Sequence, residues 1–504
     1  TRLGRWSRGL GDVYKRQVLL SLAILSGCTL GPEPARPVTA ADISDAYVYA
    51  KEQETADAPP VTAWWRTFGD PTTVELVELA LQNNTDLQAA ASRVLEAEAA
   101  LHRARGARLP QVGFSASATD QRFSFVLPEV GRRTIDSTTY SYNFNVSWQT
   151  DLLGRLKRTQ QANWASLMAE EAAQEALTHT IVSLVVRSRV LVATAAYALE
   201  INQQITESWE STTNTVERRY RAGLAGAVEL HLARENLAAV RASEAVIAGQ
   251  LDQARLALDV LVGRRPGSSD PLPDTLPELP SLEPVPLGLP ASLLDRRPDL
   301  RQAEMQLAAA TYGVGAAIAN LYPDLSLTGS IGASADKIND LTLDDGLVYN
   351  AVANLVGPIF SGGQRRADVD AAKARVEQAT ALYAGAVLSA LREVEDALVL
   401  GESTTLNWEF SDQRVSEARA ADRLAKQRYQ RGVETLLTVL ETERRLRLAE
   451  QAIINATADV WNARIDLFLA LGGDWGTEMI SRDEDEAEAE EASKSGEPTE
   501  ARSR

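Results

Sequence analysis

Residues 86–119 read DLQAAASRVLEAEAALHRARGARLPQVGFSASAT, and residues 299–332 read DLRQAEMQLAAATYGVGAAIANLYPDLSLTGSIG. The two stretches are one unit written twice. Asp86 and Asp299 open them, and Pro110 and Pro323 fall at the same offset of 213 residues. Further on, Tyr220 and Gly223 match Tyr429 and Gly432, and Gly263 matches Gly472, now at an offset of 209. An internal repeat of this kind decides the architecture before any single element does. Between the copies, Gly263–Pro298 holds nine of the chain's twenty prolines. Proline removes backbone donors and blocks helix, so this stretch reads as an extended linker.

Each copy reads helix, strand, strand, very long helix, turn, long helix. The strands, expected over 111–150 and 324–360, alternate with period two. Val112, Phe114, Ala116 and Ala118 share one face, as do Tyr140, Tyr142, Phe144, Val146 and Trp148. Leu325, Leu327, Gly329 and Ile331 mark the third strand, and 347–360 is the fourth and least regular. The alternate positions are small or polar: Ser115, Ser117, Ser141, Asn143, Asn145 and Ser147. That pattern suits a membrane strand that lines water, and a half-buried soluble sheet gives it too. Four strands cannot close, and an open edge in lipid strands backbone groups at several kcal/mol each. The smallest useful barrels need about eight strands. If the strands cross a membrane, copies of the chain must share one barrel, with eight strands from two copies or twelve from three.

The helices carry heptads. Val439, Leu446, Ile453, Val460 and Leu467 recur every seven residues, and Thr442, Ala449, Ala456, Ala463 and Ala470 follow three places on. A large and a small layer let helices approach closely. The first copy has Leu230, Leu237, Glu244, Leu251 and Leu258, with Ala233, Val240, Ile247, Ala254 and Leu261. In the preceding helix, Ile181, Val185, Val192 and Leu199 form one seam, and Leu184, Leu191 and Ile205 a second. Two seams mean neighbours on both sides. Some 60 residues at 1.5 Å each span about 90 Å.

Composition excludes several functions. The net charge is −18, and residues 1–27 carry +4 of it, leaving −22 on the rest. Phosphates would repel such a chain, so nucleic acid is not a partner. Residues 481–504 hold nine acids and four bases, a solvated tail. Cys28 is the one cysteine, so no intrachain disulfide forms. His102, His179 and His231 lack ligand spacing and read as surface helix residues. No metal, cofactor or catalytic residue is expected. Gly313-Val314-Gly315 loosely resembles a dinucleotide loop, but helix rather than strand precedes it.

The apolar run Val18–Leu25, led by Lys15 and Arg16, is too short to span a bilayer and suits a secretory signal. Leu25-Ser26-Gly27-Cys28 follows it and matches the bacterial lipobox, in which the cysteine becomes the lipidated first residue. Thr29 in place of Asp favours the outer membrane by the same resemblance. From Cys28 to Trp475 the chain resembles the outer-membrane efflux factors of TolC and OprM type, in their lipoprotein (NodT-like) branch. The motifs are Gly31-Pro32 to Arg36-Pro37, Trp64-Trp65 to Asp70-Pro71, Ser147-Trp148 to Arg155, Arg296 to Asp299, Tyr322-Pro323, Gly357-Pro358 to Gly363, and Leu471 to Trp475.

The resemblance implies an α+β membrane protein. Its homotrimer closes a twelve-stranded β-barrel in outer-membrane lipid and extends a helical barrel into the periplasm. The tips would meet a periplasmic adaptor and, through it, an inner-membrane RND-type pump. Arg219, Gly223, Glu229, Arg428 and Gly432 are the expected docking tips, and Leu437 and Glu441 the expected gate, as rings of three. Three such carboxylates would repel one another and perturb their ionisation. Relatives usually have Ser at Gly226 and Asp at Glu229 and Glu441. The expected organisation is a signal over 1–27, a lipidated segment over 28–70 and repeats over 71–263 and 299–475. A linker at 264–298 joins the repeats, and an acidic tail spans 476–504. Within the repeats the long helices are expected over 154–262 and 364–471. The expected function is an exit duct for small toxic molecules, with a duct for protein secretion as the alternative.

Overall fold

The computed structural model describes residues 29–37, 46–50, 63–128, 131–268, 279–280, 285, 287 and 290–473. Cys28, the expected signal and the acidic tail lie outside these. The first copy begins with a 3-10 turn, Trp64–Phe68, and the helices α1 (Pro71–Asn83) and α2 (Thr85–Gly106). Strands β1 (Gln111–Leu127) and β2 (Gly131–Thr150) follow, then α3 (Arg155–Arg221) and α4 (Ala227–Leu261). The second copy runs through α5 (Pro298–Ala319), β3 (Asp324–Ala335), β4 (Leu347–Val356), α6 (Gln364–Gln430) and α7 (Leu436–Ala470). The long helices match in length between copies, 67 residues for α3 and α6 and 35 for α4 and α7. At 1.5 Å per residue the longer pair runs about 100 Å.

Two expectations need correction. The fourth strand ends at Val356, not Phe360, because Pro358 cannot donate to a ladder and Gly357 sits against Pro323, where a Cβ would lie 2.7 Å from the ring. The linker is not wholly extended: Pro290–Ser292 forms a 3-10 turn and Leu293–Arg296 a helical turn, with Leu293 buried.

The chain forms two units. Among the described residues, the first takes in 29–37, 92–171 and 302–384, with the whole sheet. The second takes in 46–50, 63–91, 172–268, 290–301 and 385–473, with most of the long helices. In the second, Ile181, Val185 and Val192 of α3 are buried, as are Ala449, Ala456, Ala463 and Ala470 of α7. The small heptad layer is thus the close-packed one. Leu184 and Leu191 of the second α3 seam stay 44% and 56% exposed, while Ile205 packs inside. Among the described helices only α3 is long and apolar enough to cross a membrane, and most of that stretch is buried. Its apolarity belongs to the seam.

The repeat shows in a shared joint. Asn84 breaks α1 from α2 and donates to the Leu261 carbonyl at the end of α4 (2.8 Å). Its counterpart 213 residues on, Arg297, precedes α5 and donates to the Ala470 carbonyl at the end of α7 (3.1 Å). Each long hairpin therefore ends on the helix break of its own copy.

Candidate functional site

The sheet orders β1-β2-β3-β4, all antiparallel, with β1 and β4 as edges. Its register sets like against like. Val112 lies opposite Val146, Phe114 opposite Phe144, Phe144 opposite Ile331, and Ile331 opposite Tyr349. On the other face Ser117 pairs Ser141 (2.9 Å) and Asn145 donates to Ser115 (3.0 Å). Phe114, Phe144, Ile331 and Tyr349 are each at least half exposed. Apart from Ile338 and Leu341 of the β3–β4 connection, which lie beside its Tyr140–Tyr142 end, nothing within the described residues covers that apolar face. Tyr140 and Tyr142 stand towards one end of it and Trp148 towards the other, where its indole donates to the Arg108 carbonyl (2.9 Å). Aromatic girdles at both limits of an apolar band mark a lipid-facing sheet.

The turn from β2 into α3 explains its motif. Asp151 accepts from the Leu156 and Lys157 amides (2.9 and 2.6 Å) and caps α3. Gly154, at φ +76°, leaves room for Thr29, which any Cβ there would strike. Residues 29–36 are pinned across this junction. Arg158 is almost fully buried; it donates to the Leu30 and Gly31 carbonyls (2.9 and 3.2 Å) and pairs with Glu33 (2.8 Å). Gly31 lies against the backbone of Gly315, so Gly315 in α5 serves close approach, whereas a Cβ at Gly313 would meet nothing within 4 Å. Arg36 makes a bidentate bridge to Glu304 (3.1 and 2.8 Å).

The two hairpin ends are built alike. Gly223 and Gly432 both take φ +74°. The Leu224 amide reaches back to the Arg219 carbonyl (2.8 Å) and the Val433 amide to the Arg428 carbonyl (3.1 Å), which terminates α3 and α6. Below the turns Trp209, Val216, Leu230, Ala233, Ala425, Tyr429, Leu436 and Val439 form one core from all four long helices. The hairpins are tied at their ends. Arg219 donates to the Tyr429 carbonyl (3.1 Å) and lies 4.8 Å above its ring. Of the other expected tip residues, Glu229 sets its charge beside Tyr429, and Arg428 stands apart. Arg428 is exposed and pairs with Glu434 (3.4 Å), and Glu229 sits half-buried in the first turn of α4.

Leu437 is 68% exposed, pointing away from its buried neighbours Leu436 and Val439. Glu441, one turn on, is clasped by Arg444 (3.0 Å) and Arg445 (2.7 Å). The Arg444 hydrogen bond, with Arg445 beside it, holds its carboxyl well below the usual range. Within one chain, then, the two guanidinium groups favour the charged form of Glu441.

One turn further lie groups the sequence reading missed. Lys426 contacts Asp422 (3.0 Å), Glu443 (3.5 Å) and the Ser208 hydroxyl (2.9 Å). Glu443 and Asp422 are both buried. Burial pushes the Glu443 carboxyl up to about 7, with Asp422 adding to it and Lys426 and Arg447 opposing. Arg419 bridges Glu450 (3.1 Å) beside them. The first hairpin carries the same pairs with their signs exchanged: Glu217 with Arg234 (2.6 Å) and Glu210 with Arg241 (2.7 Å), each at the 209-residue offset. The available signal was an acid four residues after the first two large heptad positions, Glu443 after Val439 and Glu450 after Leu446. His179 is also unlike its expectation. It is buried, and burial lowers its imidazole to about 3, so it is a neutral core side chain. His102 and His231 are exposed. Among the described residues no group of His, Cys, Asp and Glu could hold a metal ion.

Comparison with known proteins agrees with this geometry. The family model described as outer membrane efflux protein matches residues 76–264 and again 289–473. The solvent efflux pump outer membrane protein SrpC of Pseudomonas putida is 31% identical over 473 residues, 92% of this chain and 98% of that protein. The pyoverdine export outer membrane protein OpmQ of Pseudomonas aeruginosa is 32% identical over 480 residues, 92% and 97% of the two chains. The structure of the outer-membrane channel OprN superposes with a TM-score of 0.81 at 28% identity, over 89% of this chain and all of that one.

Proposed function

The chain belongs to the outer membrane efflux protein family, and from that membership we propose that it is the passive trimeric exit duct of a tripartite efflux pump. It sits in the outer membrane, takes cargo from an inner-membrane RND-type pump through a periplasmic adaptor, and performs no bond chemistry of its own. The observation that carries this is the sheet: four strands, one apolar face uncovered, one polar face, and two unpaired edges. Such edges cannot rest in lipid, so β1 of one copy must meet β4 of another. Three copies give twelve strands around a water-filled bore. Leu184 and Leu191, left exposed on α3, supply helix surface for the same neighbours.

Cargo is set elsewhere in the pump. Relatives at nearly equal identity are named for solvent and for pyoverdine, so a shared duct serves chemically unlike molecules. Detergent-extracted protein should run as a trimer by native mass spectrometry and conduct in planar bilayers. A monomer with intact conductance would overturn the shared barrel.

Cys28, directly before the pinned residues 29–36, is proposed as the lipid anchor. Cys28→Ser should lose palmitate labelling; equal incorporation in wild type and variant would refute the anchor. The tip residues Arg219, Gly223, Glu229, Arg428 and Gly432 are proposed as the adaptor-facing rim. Leu437 and Glu441 are proposed as the narrowest rings inside it.

A further inference from the structure

Strands β1 and β2 are longer than the barrel needs. A spanning strand takes about 9–11 residues, and β3 and β4 have 12 and 10. β1 has 17 and β2 has 20. Their ladder runs without a bulge from Gln111 opposite Ser147 to Leu127 opposite Gly131. β3 leaves it at Tyr140, which is paired with Ala335. Nine residues of each strand, Thr119–Leu127 and Gly131–Thr139, therefore continue as a two-stranded ribbon, about 30 Å at 3.4 Å per residue.

Along this ribbon the two faces exchange character. The face that carries Val112, Phe114 and Ala116 within the sheet carries Asp120, Arg122 and Ser124 beyond it, opposite Thr138, Asp136 and Thr134. These are bonded across the strands: Arg122 to Asp136 (2.5 and 3.1 Å), Thr138 to Asp120 (3.0 Å), Ser124 to Thr134 (3.0 Å). The face of Ser115 and Ser117 becomes the face of Phe123 and Phe125, with Ile135 opposite Phe123 and Arg133 opposite Phe125 at the ribbon's far end. Those three side chains are 54%, 41% and 51% exposed. Since period two is unbroken, the inversion lies in the sequence and not in a slipped register.

The apolar band that faces lipid ends near Ala118 and Tyr140, because an arginine on that face costs about 2–4 kcal/mol at the bilayer midplane and little at its border. Past that border the bore-side face turns apolar. We infer that the ribbon stands outside the lipid and turns Phe123, Phe125 and Ile135 toward the threefold axis, where the same residues of two further copies cover them. A second copy is the occupant because β1 is the sheet edge. Barrel closure, on which this inference rests, already brings three such ribbons around one mouth. The cluster forms an apolar narrowing at the mouth of the barrel, and a ring of that kind resists wetting.

The test uses the full-length protein with Phe123→Cys or Arg122→Cys, adjacent residues on opposite faces, and wild type as control for Cys28. Native mass comes first: loss of the trimer would sink the shared barrel itself. In trimers, a short bis-maleimide should join Phe123→Cys chains to one another and leave Arg122→Cys chains single. On whole cells, an impermeant maleimide should label Arg122→Cys faster. Trimers in which both variants cross-link alike and label alike, or in which Arg122→Cys cross-links better, overturn the inference.

Discussion

Glu443 is a carboxylate that folding holds nearly dry, with Asp422 and Lys426 as its near neighbours. Two acids sharing one ammonium leave a surplus negative charge unless Glu443 keeps its proton. Its folded value is raised to about 7 from 4.5. The folded state therefore holds more protons than the unfolded one between those values. Its advantage is full below about 4.5 and lost as pH rises through 7. Glu443→Gln should flatten this dependence and raise the stability above pH 7 by about 1–3 kcal/mol per chain, seen as a higher melting temperature there. Parallel melting curves from pH 5 to 8.5 would show that the site does not titrate. Glu441 behaves oppositely: held low by Arg444 and Arg445, it stays charged across that range. Leu437→Ala with Glu441→Ala should enlarge conductance in bilayers without adaptor, at normal trimer yield; unchanged current places the constriction elsewhere. At this scale the sequence was partly legible. Leu437 and Glu441 were singled out, as a proposed gate, by the family resemblance. Glu443 was not, because a lone acid beside a seam reads as solvated until the fourth helix closes over it.

Turns and straps were legible in proportion to how local their cause is. Gly223 and Gly432 were readable because only φ > 0 closes those turns. No heavy atom lies within 4 Å of a Cβ built at either. Gly432→Ala should thus cost about 1–2 kcal/mol through backbone strain alone, and Gly432→Asn less. Melting curves measure it; an equal loss for both substitutions would point to sterics instead. The strap over 29–36 was unreadable. Its hold depends on Arg158, more than 120 residues away, and on a glycine of α5 that a motif search takes for something else. Arg158→Ala removes the guanidinium donors to the Leu30 and Gly31 carbonyls and leaves Glu33 without its ion-pair partner. It should expose the segment to limited proteolysis while the helical signal is kept. Protection equal to wild type would mean that packing at Gly31 and Gly154 suffices.

Across the whole chain, periodicity sufficed for the repeat, the four strands and the paired long helices, because each is set by spacing along one element. The strand ends, the short helical turns near Pro290 and the buried charges were set by partners distant in sequence, and spacing could not reach them. The exchanged ion pairs bear on the ancestry of such a molecule. Suppose genetic recombination traded α4 for α7 between the halves. Glu217 would then face Glu443 and Glu210 would face Glu450 in one hairpin, while Lys426 would face Arg234 and Arg419 would face Arg241 in the other. Like charges so placed repel. The polarity swap therefore penalises trade of a single helix between the halves and ties each long helix to the partner of its own copy.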